Sequence, residues 1–492
     1  MNPTYIMFAV YLLVMLAVGF VFVNKIHSTG EYFLGGRKVG AWVTALSAQA
    51  SDMSGWLLMG LPGVVYCAGM GETWIAIGLM VGTILNWILI APRLRIYTEK
   101  TDSVTLSSFF AVRFREKSNL LRFFSSVVIL LFFTIYAASG LVAAGKLFES
   151  MFNLDYQFSV LIGVAVILIY TLLGGYLAVC WTDLIQGSLM FFALIAVPVG
   201  AYMGLSSEQF QEAFVAKDGV NPLSLLPAGA KSWNLAAIGM IISSAVWGLG
   251  YCGQPHILTR FMSIENHKLL TRSTWIASIW VVISLAAAVM IGFLARPYFP
   301  GLDAAESEKV FIKLIGVLFN PWLAGILLAA ILAAIMSTID SQLLVSSSAL
   351  TEDFYKKILR KNASVKEQVW VSRVCVLLIT VLATILALSP NDTIFAIVKF
   401  AWGGFGAAFG PVVIMALYSR KTSWQSALMG MLAGFIVMIA WYFVGLGVYV
   451  YEILPGFIAG LVTIWIMNFF FPQDDEDILD EFDSVVKTLS GE

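Results

Sequence analysis

Ionisable side chains are scarce: Asp, Glu, Lys and Arg make up 12% of the 492 residues, against 60% hydrophobic ones. With a mean hydropathy of +0.87, this composition excludes a water-soluble fold, whose surface needs polar cover. Histidine is rarer still, and His27, His256 and His267 form no H-E-x-x-H pair, so nothing suggests zinc. Cys67, Cys180, Cys252 and Cys375 stand singly in or beside apolar runs without C-x-x-C spacing. They read as small buried hydrophobes, not as disulfide or metal partners. Period-two alternation is missing too, since 127–133 is apolar on every side, which excludes a membrane β-barrel. No paired acid and base, nucleophile or metal constellation stands out, so an enzyme is disfavoured.

What the chain has instead is long apolar runs. Thirteen reach about 18 residues: 5–24, 41–66, 73–92, 120–147, 157–180, 183–205, 233–253, 274–299, 311–347, 369–388, 393–418, 424–446 and 451–471. They predict an all-α integral membrane protein with 13 transmembrane helices in a single domain over 1–472, followed by an acidic tail over 473–492. The first run is no cleaved signal, because MNPTY carries no positive n-region and the first basic residue, Lys25, comes after it. An outside N-terminus follows. Alternating the loops from there puts nineteen Lys and Arg, from Lys25 and Arg37 to Arg420 and Lys421, on one side and six, such as Lys146, Lys217 and Lys231, on the other. The basic side is cytoplasmic by the positive-inside rule, which places the tail there as well. A net charge of −1, partitioned by leaflet, gives no nucleic-acid signature. The tail itself reads as a solvated face or frayed helix before it reads as a regulatory element.

Two runs are interrupted. The second carries "SDMSG" near its midpoint, and the seventh ends in "SSAVWGLGYCGQPH", with Gly248, Gly250, Gly253 and Pro255 crowded together. Glycine and proline at that density weaken a helix, and unwound backbone survives in a membrane only when packed in protein or lining a cavity. The two breaks lie five crossings apart on runs of opposite direction. That spacing predicts a 5+5 inverted-repeat core over about 41–418, of the leucine-transporter kind, with ion and substrate at the paired breaks.

Asp52, about ten residues into its run, is then a buried acid at a break. It either accepts N–H bonds from the next turn, as an N-cap does, or serves a cation or ammonium, and the second reading is preferred. Ser337 and Thr338, in "ILAAIMSTIDSQLL", are adjacent hydroxyls that either bond back to their own helix or, with carbonyls freed by an unwound segment, complete an oxygen shell for a hard monovalent cation. Trp247 and Tyr251, four apart, form an aromatic wall or a packing pair. "WGLGYCG" matches G-x-G-x-x-G, but no strand precedes it, which rules against a dinucleotide site. "GGFGAAFG" reads as close helix packing.

"SAQASDMSGWLLMGLPG", "FFTIYAASG", "GGYLAVCWTD", "WGLGYCGQPHILTRFM", "FNPWLAGILLAAILAAIMST" and "GGFGAAFGPVV" together resemble the sodium:solute symporter family, and its proline branch more than its sugar or sialic-acid branches. The likeness runs from about Tyr5 to Phe471. It implies sodium-coupled proline uptake by alternating access in the bacterial cytoplasmic membrane, with sodium, proline and the lipid bilayer as partners and no obligate protein partner. It implies a sodium site of the carbonyls of Ala50, Met53 and Ala334 with the hydroxyls of Ser337 and Thr338, and leaves open whether Asp52 joins it. It also implies a substrate site near Asp52, Ser54, Gly55, Trp56, Tyr136, Trp247, Tyr251 and Pro255. Arg37 and Asp183 match cytoplasmic-side positions that affect transport. Three positions depart from the family's pattern. Cys252 replaces an aromatic, Asp340 adds an acid with a gate or packing role, and Lys399 is a lysine inside a run that snorkels outward, pairs in a gate or partly stands in for a cation, which would relax strict sodium dependence. The alternatives are a sodium symporter for another small zwitterion or carboxylate, and a membrane solute sensor, for which the short tail leaves no catalytic domain.

Overall fold

Helices occupy nearly all of the computed structural model, which describes residues 3–23, 28–172, 175–212, 221–230, 232–390 and 392–490. Lys25, His27, Lys217 and Lys231 lie outside the described residues. Among the described ones there is no strand, only isolated bridges between Val39 and Ile264 and between Thr422 and Pro472. The principal helices are α1 Pro3–Val23, α2 Ala41–Asp52, α3 Trp56–Ala68, α4 Met70–Lys100, α5 Leu120–Phe152, α6 Tyr156–Thr171, α7 Tyr176–Gly204, α8 Leu235–Gly253 and α9 Pro255–Ser263. They continue with α10 His267–Tyr298, α11 Val310–Leu318, α12 Pro321–Ser348, α13 Val365–Ala387, α14 Ile394–Tyr418, α15 Trp424–Phe443, α16 Ile453–Phe470 and α17 Glu476–Ser490.

Eleven of the described helices are long and apolar enough to cross a membrane. The runs that fall short of the expected thirteen are 41–66, cut into α2 and α3 at the break, and 157–180, whose helix stops at Thr171. The run 311–347 is two helices as well. Asn320 caps α12 by accepting the N–H groups of Trp322 and Leu323, both at 3.1 Å, and Pro321 sits where its missing donor costs nothing.

Polarity is arranged inside out. Large apolar side chains such as Leu13, Trp42, Trp275 and Phe469 are exposed, whereas Asp52, Asp183, Arg260, Ser337 and Asp340 are fully buried. A bilayer demands this, since its core solvates hydrocarbon and not charge.

The tail is not a frayed end. Helix α17 buries Ile478, Phe482 and Val485 against the body. Acids on it and just before it reach basic loop residues: Arg115 meets Asp475 at 3.1 Å and Asp477 at 2.9 Å, and Arg420 meets Asp483 at 2.9 Å. The alternation of apolar and acidic positions therefore makes a docked amphipathic helix.

Candidate functional site

Helix α2 ends because Met53 (φ −87°, ψ 77°) leaves helical geometry and Ser54 turns its N–H to the Asp52 carbonyl at 3.1 Å. In an unbroken helix that N–H would serve Ala50. The freed Ala50 carbonyl instead accepts the hydroxyls of Ser337 at 2.8 Å and Thr338 at 3.3 Å, both from α12. Ser337 shares its proton with the Ala334 carbonyl, 3.2 Å away. Four of the five expected ion ligands are thus joined; Met53 occupies the turn, and its N–H bonds to Gln49.

Asp52 links the two breaks. Its Oδ2 accepts the Tyr251 hydroxyl at 2.6 Å, while its Oδ1 is buried with no partner among the described residues. Its carbonyl accepts Trp56 Nε1 at 3.1 Å and the Tyr136 hydroxyl at 3.4 Å. Ser54 Oγ accepts the Trp56 N–H at 3.4 Å. Gly55 has no room for a side chain, since a Cβ there would lie 2.6 Å from that of Ala143. Pro255 is buried in the first turn of α9, where its carbonyl accepts Thr259 Oγ1. None of Ser54, Trp56, Tyr136, Trp247 and Tyr251 is more than 3% exposed, so the site is closed on both sides.

The second break is built by close packing. A Cβ on Gly250 would lie 1.9 Å from Trp402 Nε1, which donates to the Trp247 carbonyl at 2.8 Å. The Trp402 ring stands edge-on to Tyr251 at 5.0 Å, and Trp247 faces Trp56 at 6.4 Å and Phe395 at 5.0 Å. Trp402 and Phe395 were not foreseen. They lie on α14, Trp402 directly before and Phe395 two turns before the glycine-rich stretch read as packing, which does pack: a Cβ on Gly404 would meet the Phe132 ring.

Toward the basic face lies a charged network that sequence reasoning assembled only in part. Arg260 on α9 donates to Asp183 at 3.2 Å, to Ser47 at 3.1 Å, to the His256 carbonyl at 2.9 Å and to Ser341. Ser341 in turn donates to the Ser337 carbonyl at 2.7 Å, so the network ends on the backbone that carries one of the two hydroxyls. An arginine in an apolar stretch just after Pro255 was the available signal. Asp340 accepts from Thr171 and stands apart from the Ala50 cluster. Arg37 clamps three carbonyls, Thr98 at 2.7 Å, Met262 at 2.8 Å and Ser103 at 2.9 Å. Burial lowers its guanidinium to about 10, still charged at neutral pH.

Two interrupted helices meeting over a buried acid, with an oxygen-only cluster alongside, are the build of an ion-coupled secondary transporter. A family model described as the sodium:solute symporter family matches residues 32–434. The sodium/proline symporter of Escherichia coli is 47% identical over 475 residues, covering 95% of this chain and 93% of that one. The high-affinity proline transporter PutP of Bacillus subtilis is 43% identical, covering 97% and 100%. Among solved structures, a substrate-bound, outward-open Na+-coupled sialic acid symporter superposes with a TM-score of 0.79 at 20% identity, covering 96% of this chain and 99% of that one. MhsT in complex with L-phenylalanine gives 0.57 at 13%, covering 87% and 97%. The chain belongs to the sodium:solute symporter family.

Proposed function

We propose that this protein couples inward sodium movement to L-proline uptake by alternating access, in a bacterial cytoplasmic membrane. The observation that carries the reading is the Ala50 carbonyl, released by the break and met by Ser337 and Thr338 beside Asp52. Hydroxyls and carbonyls suit a hard monovalent cation without burying much net charge. Ala50, Met53, Ala334, Ser337 and Thr338 hold the ion. A substrate zwitterion sits between the breaks: the N-terminus of α3 takes its carboxylate, Asp52 or the freed carbonyls take its ammonium, and Trp56, Tyr136, Trp247 and Tyr251 wall its ring. The high identity to proline carriers from several bacteria supports proline over other zwitterions.

In this reading the chain crosses thirteen times with its N-terminus outside, and the repeats span about 41–418. Ion and substrate each tighten the other by the same factor. A potential of about 100 mV adds roughly 2.3 kcal/mol per charge moved. The test is uptake of labelled proline into proteoliposomes with and without an inward sodium gradient, in the presence of competing amino acids. Sodium-stimulated, proline-selective uptake is expected; uptake indifferent to sodium sinks the proposal.

A further inference from the structure

Tyr451 lies between α15 and α16, beyond the repeat core, yet it is buried to 1% exposure and its ring packs on Trp247 at 5.3 Å. Three contacts fix it there. Its backbone N–H donates to Ser243 Oγ on α8 at 2.7 Å, its hydroxyl donates to the Lys399 carbonyl on α14 at 2.6 Å, and the Lys399 ammonium stands 5.0 Å over its ring. The residue before it is anchored too, since the Val450 carbonyl accepts Trp441 Nε1 from α15 at 2.9 Å. Glu452, next to Tyr451, is buried as well. The segment is therefore a strap across α8 and α14, at the end of α16 remote from α17.

We propose that Tyr451 is the outer roof of the substrate site and that Lys399 is the positioning residue that holds it shut. The inference rests on the reading of the space between the breaks as the substrate site. Lys399 is thus not simply snorkelling to water: its ammonium stands over an aromatic face, a cation–π contact that gains strength away from solvent. Opening to the outside requires Tyr451 to leave Trp247, so the strap sets how readily substrate enters and how long it stays. Weakening it raises the KM for proline more than it lowers kcat.

A readout independent of transport tests this. In a background with all four cysteines replaced, Phe395→Cys places a thiol at the ring position that stacks on Trp247. Its labelling by a membrane-impermeant maleimide from the side opposite α17 is then timed. Tyr451→Ala is expected to speed labelling about tenfold, and Tyr451→Phe, which keeps the ring, about twofold. Lys399→Met falls between them and Lys399→Arg matches the parent. Should Tyr451→Ala not accumulate, Tyr451→Phe and Lys399→Met carry the test. Labelling unchanged in all of them overturns the roof. Faster labelling in these variants, when the parent protein with Phe395 and Tyr451 intact takes up no proline in proteoliposomes, leaves the roof standing and removes the substrate reading instead, so the two failures are separable.

Discussion

The two helix breaks solve one problem in opposite ways. At the first, between α2 and α3, polar groups from elsewhere satisfy the loosened backbone: Ser337 and Thr338 serve Ala50, while Trp56 and Tyr136 serve Asp52. At the second, between α8 and α9, glycines let neighbours close in, with Gly248 against the Gly78 carbonyl, Gly250 against Trp402 and Gly253 against the Phe405 carbonyl. The first break is held by hydrogen bonds, the second chiefly by contact, with Trp402 adding one bond to the Trp247 carbonyl. A carrier needs both, because an ion is recognised by donor atoms and an apolar ring by walls.

Substitutions can break that division. The largest effect is expected from Gly250→Ala, whose added methyl has Trp402 in its way. Overpacking of about 1–3 kcal/mol should show as lost membrane accumulation or a lower melting temperature in detergent, and a normally melting variant would contradict the packing account of the second break. Next comes Asp52→Asn, which should insert normally but lose sodium-driven uptake by roughly 100-fold, the scale of a buried charged hydrogen bond. Near-normal uptake would reduce Asp52 to a cap for the broken backbone. Ser337→Ala and Thr338→Ala should each raise the sodium concentration for half-maximal uptake about tenfold while shifting that for proline less. Equal shifts in both would mean that the hydroxyls only pin Ala50. A comparable effect belongs to Tyr251→Phe, which cuts the bond joining the two breaks and leaves the buried Asp52 carboxylate without its hydroxyl partner. A rise of about tenfold in both half-saturation values is expected, and a rise in only one would show that the breaks act separately.

Much of the first break was legible in the sequence. An acid with serine and glycine inside an apolar run is costly unless it has partners, and the adjacent Ser337 and Thr338 offered oxygens. What escaped notice has a common cause. Arg260 and Asp183, 77 residues apart, meet only through tertiary packing. Trp402 joins the aromatic wall from α14 and Tyr451 from the turn between α15 and α16, and the apolar composition around each matches that of any lipid-facing span. The end of α6 at Thr171 and the split at Asn320 were hidden because hydropathy runs on across both. The docking of α17 depended on basic loop residues far away in sequence, so its acids alone resembled a solvated face.

The Ala50 carbonyl has one more consequence, for the unloaded return stroke. A hydroxyl both donates and accepts, so in the proposed ion site Ser337 and Thr338 would exchange their bonds to Ala50 for lone pairs turned toward the cation by rotating about single bonds. In that reading the hydroxyls that hold the ion also keep the Ala50 carbonyl paired when no ion is bound, so the proposed seat exposes no bare dipole in the membrane interior.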